Sequence, residues 1–207
     1  MPQPSDLAKK LKLILFDDDG VLTDGSIWLF PAPASGSRAT DTHRLQHGDA
    51  PGFGFVSQEM IEAKGFDAHD GTAISLARMG GLKTGMVTKR ISETVAIRAR
   101  DLRIDFLYQG ADNKAEVLDK ILAQSGLTEE QVAYVGDDVI DLPIMRRCGL
   151  AIAVTNARHQ VKAMAHWQTP SSGGHGAARD AVEYILAAQG TLDEIIEAYI
   201  LARTSVK

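Results

Sequence analysis

Apolar residues along the chain fall into short continuous runs, separated by longer stretches with helical spacing. The first run, Leu13-Ile14-Leu15-Phe16, lies within residues 12–17 and predicts a buried strand. Runs at 27–30, 82–88, 105–108, 132–136 and 150–154 predict further strands. Helical spacing appears over 72–79, stopped by Gly80-Gly81. A second helix is predicted after Ser92 as cap, with Val95, Ala96, Ala99 and Leu102 on one face. A third covers 113–124 through Val117, Leu118, Ile121 and Leu122. Thr128 with Gln131 fits a capping box, Pro143 opens a helix at 143–147, and two helices close the chain at 177–188 and 192–202. Residues 31–58 break the rhythm. They are rich in Pro, Gly, Ser and Ala without sustained periodicity, which predicts a loop insertion rather than core.

Strands alternating with helices predict right-handed βαβ units. The expected fold class is therefore α/β, a Rossmann-like parallel sheet with helices on both faces. No segment is long enough to read as a large cap domain. One domain over 1–207 is expected, with the insertion looping from it. Ligands of such sheets sit outside the carboxyl ends of the strands, so chemistry is sought there.

Composition narrows the function. With 44% hydrophobic and 24% charged residues the chain reads as an ordinary globular protein. A net charge of −5 argues against nucleic acid, whose phosphates demand basic surface. The single cysteine, Cys148, excludes an intramolecular disulfide and fits a reducing compartment. No apolar run has the length of a signal core or a bilayer span, so no membrane association and a cytoplasmic setting are expected.

The first strand drives into Asp17-Asp18-Asp19-Gly20. Carboxylates massed at a strand end repel one another and call for a compensating cation, which Mg²⁺ with oxygen ligands supplies. Three more segments end in the same way. Thr88 follows a strand and precedes Lys89 and Arg90. Lys114 opens a helix, where its charge opposes the helix dipole unless an anion lies between. Gly136-Asp137-Asp138, and then Asp141, place further acids across the rim, Asp141 near the metal or just behind its ligands. Together these groups make a phosphoryl-transfer site. One carboxylate can attack phosphorus, the second can act as acid and base, and a lysine and a hydroxyl can hold the transferring group.

These four motifs resemble the haloacid dehalogenase superfamily, in the capless branch of the 3-deoxy-D-manno-octulosonate 8-phosphate phosphatases. Asp19-Gly20-Val21-Leu22-Thr23-Asp24-Gly25, Asp70-Gly71, Leu107-Tyr108-Gln109-Gly110, the segment from Ala133 to Asp141 and Ala188-Gln189-Gly190 carry that finer likeness. The resemblance implies Asp17 as nucleophile and metal ligand, and Asp19 as acid/base whose backbone carbonyl also meets Mg²⁺. It implies Asp137 as third ligand, Thr88 and Lys114 on the phosphate, and an aspartyl-phosphate intermediate. Substrate contacts are implied at Asp67, Ala68, His69, Asp70, Gly71, Arg90 and Arg98, and Lys89 and Asp141 are added as candidates. It also implies a homotetramer in which a β-hairpin flap after the first strand and a neighbour's tail close each site.

Where that branch commonly carries arginine, this chain has His69, Ser75 and His175, and Lys89 replaces the glycine of Thr-Gly-Arg. Histidine cannot grip a carboxylate bidentately as arginine does, while Lys89 can return part of the charge. The substrate expected is a small phosphorylated sugar acid, 3-deoxy-D-manno-octulosonate 8-phosphate foremost. The alternatives are another sugar phosphate or a nonulosonate 9-phosphate. The insertion reads either as a surface loop without chemistry or as a cover bringing His43, Arg44 and His47 to the substrate. His159 and His166 are expected on a helix or the surface, and Trp28 and Trp167 in core or interface. A phospho-aspartate signalling switch is the rival from another class. Asp19 argues against it, because an acid two residues from the nucleophile promotes turnover.

Overall fold

Strand β1 (Leu13–Phe16) is buried along its whole length, although its side chains alternate between the two faces of a sheet. Both faces must therefore be covered. The computed structural model, which describes residues 3–31, 53–54 and 60–204, shows how. β1 is flanked by β5 (Lys83–Val87) and β8 (Val132–Gly136), with β7 (Phe106–Tyr108), β9 (Leu150–Ala153) and β10 (Trp167–Gln168) outward of them. The order is β10-β9-β8-β1-β5-β7, parallel throughout.

Helices gather in two packed groups. α1 (Pro4–Ala8), α2 (Ala68–Met79), α3 (Glu93–Leu102), α7 (Ala177–Ala188) and α8 (Leu192–Thr204) form one. α4 (Lys114–Ser125), α5 (Leu142–Met145) and α6 (His159–Met164) form the other. The expected parallel α/β sheet is present.

Register places the site. Phe16 pairs with Met86 on one side and Val135 on the other. One step further along the three strands come Asp17, Val87 and Gly136, so the motif residues emerge on one rim.

Outside the main sheet, β2 (Trp28–Pro31) pairs antiparallel with β4 (Met60–Ala63), forming the expected hairpin flap. Trp28, Leu29, Phe30 and Ile61 are about half exposed on it. Within the stretch read as an insertion, β3 (Phe53–Gly54) pairs in parallel with β6 (Arg90–Ile91). Two residues are too few to show periodicity. The remainder of 31–58 beyond Pro31, His43, Arg44 and His47 included, lies outside the described residues.

Short elements α1, α6, β6 and β10 escaped the pattern for the same reason, and β4 was not predicted either. Helix α2 begins at Ala68 rather than 72, because Asp67 caps it by accepting from the N–H groups of His69 (2.6 Å) and Asp70 (3.3 Å). Ser92 caps α3 and Gln131 closes the capping box on Thr128, as expected. Asp70 ties α2 to the far end of the chain, accepting from Gly176 N–H at 3.3 Å and Arg179 N–H at 2.9 Å. Trp167 stacks on Tyr184 at 4.1 Å, and His166 and His159 are exposed. Trp28 stands on the exposed ribbon.

Candidate active site

Asp17 leaves β1 in an extended conformation, and its Oδ1 accepts from the N–H of Asp18 at 2.7 Å. Its Oδ2 meets Lys114 Nζ at 2.8 Å. Burial pushes the Asp17 carboxyl well up from its ordinary range, and the Lys114 charge opposes that shift.

Lys114 starts α4, where Asn113 supplies the cap. Its ammonium is turned inward, 2.6 Å from Asp141 Oδ1, and donates to Tyr134 Oη at 2.9 Å. Tyr134 in turn donates to Asp141 Oδ1 at 2.7 Å. Burial works against the Lys114 charge, but Asp17 and Asp141 together raise its pKa. The unfavourable helix-end position is thus answered by two buried carboxylates.

Asp141 Oδ2 accepts from the N–H groups of Asp137 (2.9 Å) and Asp138 (3.2 Å), so the acid buttresses the loop after β8 from beneath. It is fully buried and does not line the cavity, although the sequence offered it as a substrate contact.

A cavity of about 530 Å³ opens at the strand ends. Asp17, Asp19, Thr88, Lys89, Arg90 and Asp137 line it, joined by Gly20, Asp24, Gly25, Asp138, Ile140 and Asn156. Its size suits a small ligand. Thr88 is buried, and its hydroxyl accepts from Arg90 N–H at 3.3 Å. Arg90 Nε donates to Asp19 Oδ2 at 3.0 Å, and Lys89 pairs with Asp112 at 3.4 Å. Gly20 has φ +89°, and a Cβ there would meet Asp137 Oδ2 at 2.3 Å, so glycine is what lets the two loops close on each other.

The oxygens of Asp17, Asp137 and Asp141 lie within 4.8 Å of one another. Asp137 Oδ1 is buried without a hydrogen-bond partner among the described residues. Its carboxyl is pushed up to about 7 by burial, then by Asp141 and Asp138. A hard divalent cation relieves each of these features, and Mg²⁺ fits the donor set. The Asp141 oxygens already serve Lys114, Tyr134 and two N–H groups, which leaves Asp17 and Asp137 as the side chains that could hold such an ion.

The remaining candidates lie apart. Asp67, Asp70, Gly71 and Arg98 line a separate small cavity with Leu22, Phe66, Met86 and Leu102, and Arg98 lies over the Phe66 ring at 5.4 Å. Ala68 and His69 are exposed on the first turn of α2, and His175 is exposed as well. The structure does not bring this group to the main cavity.

Sequence reasoning missed three residues at the site. Asn156 follows β9, so the strand-end rule that found the others would have found it. Asp24 sat inside a quoted motif without a role. Lys64, whose ammonium reaches Asp18 Oδ2 at 2.6 Å and Asp19 Oδ1 at 2.5 Å, had no local signal at all.

A family model described as haloacid dehalogenase-like hydrolase matches residues 86–179. The 3-deoxy-D-manno-octulosonate 8-phosphate phosphatase KdsC of Escherichia coli K12 is 33% identical over 187 residues, 90% of this chain and 85% of that one. Among solved structures, a probable YrbI family phosphatase from Pseudomonas syringae is 38% identical with TM-score 0.78, covering 95% of this chain and 97% of that one. The 3-deoxy-D-manno-octulosonate 8-phosphate phosphatase of Moraxella catarrhalis, solved with magnesium, phosphate and KDO, is 30% identical with TM-score 0.78 over the same shares. With the strand-end carboxylates, the buried lysine and this likeness over most of its length, the chain belongs to the haloacid dehalogenase-like hydrolases and is a Mg²⁺-dependent phosphatase.

Proposed function

We propose that the chain hydrolyses a small sugar-acid phosphate, 3-deoxy-D-manno-octulosonate 8-phosphate foremost, through an aspartyl-phosphate on Asp17. The observation that carries this reading is the lining of one cavity. Asp17 and Asp19 open onto it together with the cations of Lys89 and Arg90. A phosphate and a carboxylate on one small ligand would meet both sets. The relatives named for this substrate support the same choice.

Asp17 attacks phosphorus as a carboxylate, and the Lys114 charge favours that form against the upward push of burial. As the new O–P bond forms, the ester O–P bond breaks and Asp19 gives its proton to the leaving oxygen. Asp19 then takes a proton from water, whose oxygen attacks phosphorus. The bond to Asp17 breaks and orthophosphate leaves. Thr88 holds a phosphoryl oxygen throughout. Asp17, Asp137 and the Asp19 carbonyl would hold Mg²⁺, which would supply positive charge against that of the transferring group. The Asp19 side chain is engaged by Lys64 and Arg90, which leaves its main chain for the ion.

The assembly we propose is a homotetramer acting in the cytoplasm, with the apolar ribbon of Trp28, Leu29, Phe30 and Ile61 among its contacts.

The test is phosphate release from a panel of octulosonate, nonulosonate, hexose and pentose phosphates, with Mg²⁺ and with EDTA. Preference for the octulosonate ester supports the assignment. Preference for another ester would show that His69, Ser75 and His175 redirect the site, and no Mg²⁺-dependent release from any would overturn the reading.

A further inference from the structure

Lys64 follows strand β4 at the base of the flap, and its side chain has no solvent exposure. It spans two adjacent acids, Asp18 Oδ2 at 2.6 Å and Asp19 Oδ1 at 2.5 Å. The other Asp19 oxygen is held by Arg90 Nε at 3.0 Å. The two cations differ in setting. Arg90 is about one-third exposed (34%) and lines the cavity, where an arriving anion draws on it. Lys64 is enclosed and does not line the cavity, so its grip on Asp19 persists whatever binds.

The strand behind Lys64 is itself anchored. Ser92 Oγ donates to Glu62 Oε1, and Thr94 Oγ1 donates to the Glu62 carbonyl at 3.2 Å, clamping β4 to the start of α3. Burial works against the Lys64 charge, but Asp18 and Asp19 together raise its pKa, so the ammonium is retained.

We propose that Lys64 is a positioning residue for the proton-transfer step, holding the Asp19 carboxyl toward the leaving oxygen and tying that orientation to the flap. This rests on the phosphatase reading above, with Asp19 as acid and base.

The test exploits leaving-group chemistry. An alkyl phosphate needs its departing oxygen protonated, whereas p-nitrophenyl phosphate releases a stable phenolate. kcat/KM reports the steps through departure of that group. Lys64→Met should lower kcat/KM for the octulosonate ester, or for any alkyl ester the wild type accepts, by about tenfold or more. The loss with p-nitrophenyl phosphate should stay under about threefold, and Lys64→Arg should restore most of the alkyl activity. Should Lys64→Met fail to fold, Lys64→Gln keeps a donor between the two acids and is read by the same comparison. Equal losses on both esters, or none, would overturn the inference while leaving the phosphatase reading intact. A wild type that releases no phosphate from any ester would overturn both.

Discussion

Lys114 Nζ lies 2.8 Å from Asp17 Oδ2, and both side chains are closed to solvent. The proposed nucleophile and its counter-charge therefore form a buried pair that Asp141 extends on the far side. Removing one member leaves buried carboxylates uncompensated, which destabilises a fold by about 3–5 kcal/mol. Lys114→Met should show a loss of that order in urea unfolding. It also removes what opposes the upward push on Asp17, so less nucleophile is ionised at neutral pH. Residual activity should then rise toward alkaline pH more steeply than in the wild type. A variant with unchanged unfolding midpoint and pH profile would refute the pairing.

The proposed mechanism gives Asp17 and Asp19 separable roles. Asp17→Asn removes the attacking oxygen and should abolish turnover and any acid-stable trace of phosphoenzyme. Asp19→Asn should still be phosphorylated by an activated aryl ester but lose about 10²–10⁴-fold in turnover, with phosphoenzyme accumulating. Rapid quench with ³²P-labelled substrate distinguishes the two. Normal turnover in either variant would overturn the assignment.

Much of this site was legible because strand ends are marked twice in sequence, by an apolar run and by the polar residue that stops it. Asp17, Thr88 and Asp137 follow strands whose register is fixed by Phe16, Met86 and Val135. Lys114 was visible as a cation at the wrong helix end. Lys64 was not, because its partners lie more than 40 positions away and nothing in its own neighbourhood distinguishes it from a surface lysine. The same limit applies at α2. Asp70 reads locally as part of a substrate motif, yet its buried carboxyl accepts from residues 176 and 179. Only the packing of α2 against α7 brings those residues near.

Asp137, as a Mg²⁺ ligand, would tie metal binding to pH. Its carboxyl is raised from 3.8 to about 7 in the folded chain. Between those values the folded state holds more of this proton than the unfolded one, so its contribution makes stability fall as pH rises through that window. In EDTA, Asp137→Asn should flatten this slope and gain stability above pH 7. Mg²⁺ displaces the proton, so wild-type affinity should rise by up to about tenfold per pH unit below 7 and level off above about 8. Calorimetric titration at several pH values measures this. Affinity independent of pH would exclude Asp137 as the titrating ligand.

The loop at residues 172–176 packs backbone to backbone on the turn that follows Asp17. Gly174 N–H donates to Val21 O at 2.9 Å, and Gly173 N–H donates to Asn156 Oδ1 at 2.8 Å. A Cβ at Gly173 would fall 1.7 Å from the Gly20 carbonyl oxygen, against backbone that has no rotamer to yield. The strain must move one loop or the other, at about 1–3 kcal/mol or more. Gly20 also makes room for Asp137, so the displacement reaches the metal cluster. Gly173→Ala should therefore lower both the melting temperature and the Mg²⁺ affinity. Gly65→Ala is the matched control. A Cβ there meets nothing within 4 Å, and its φ lies outside the left-handed region. It should leave Mg²⁺ affinity unchanged and stability equal or higher by about 0.4–1 kcal/mol, through a less flexible unfolded chain. If the two alanine variants melt alike and bind Mg²⁺ alike, the 172–176 loop is not what holds the catalytic turn in place.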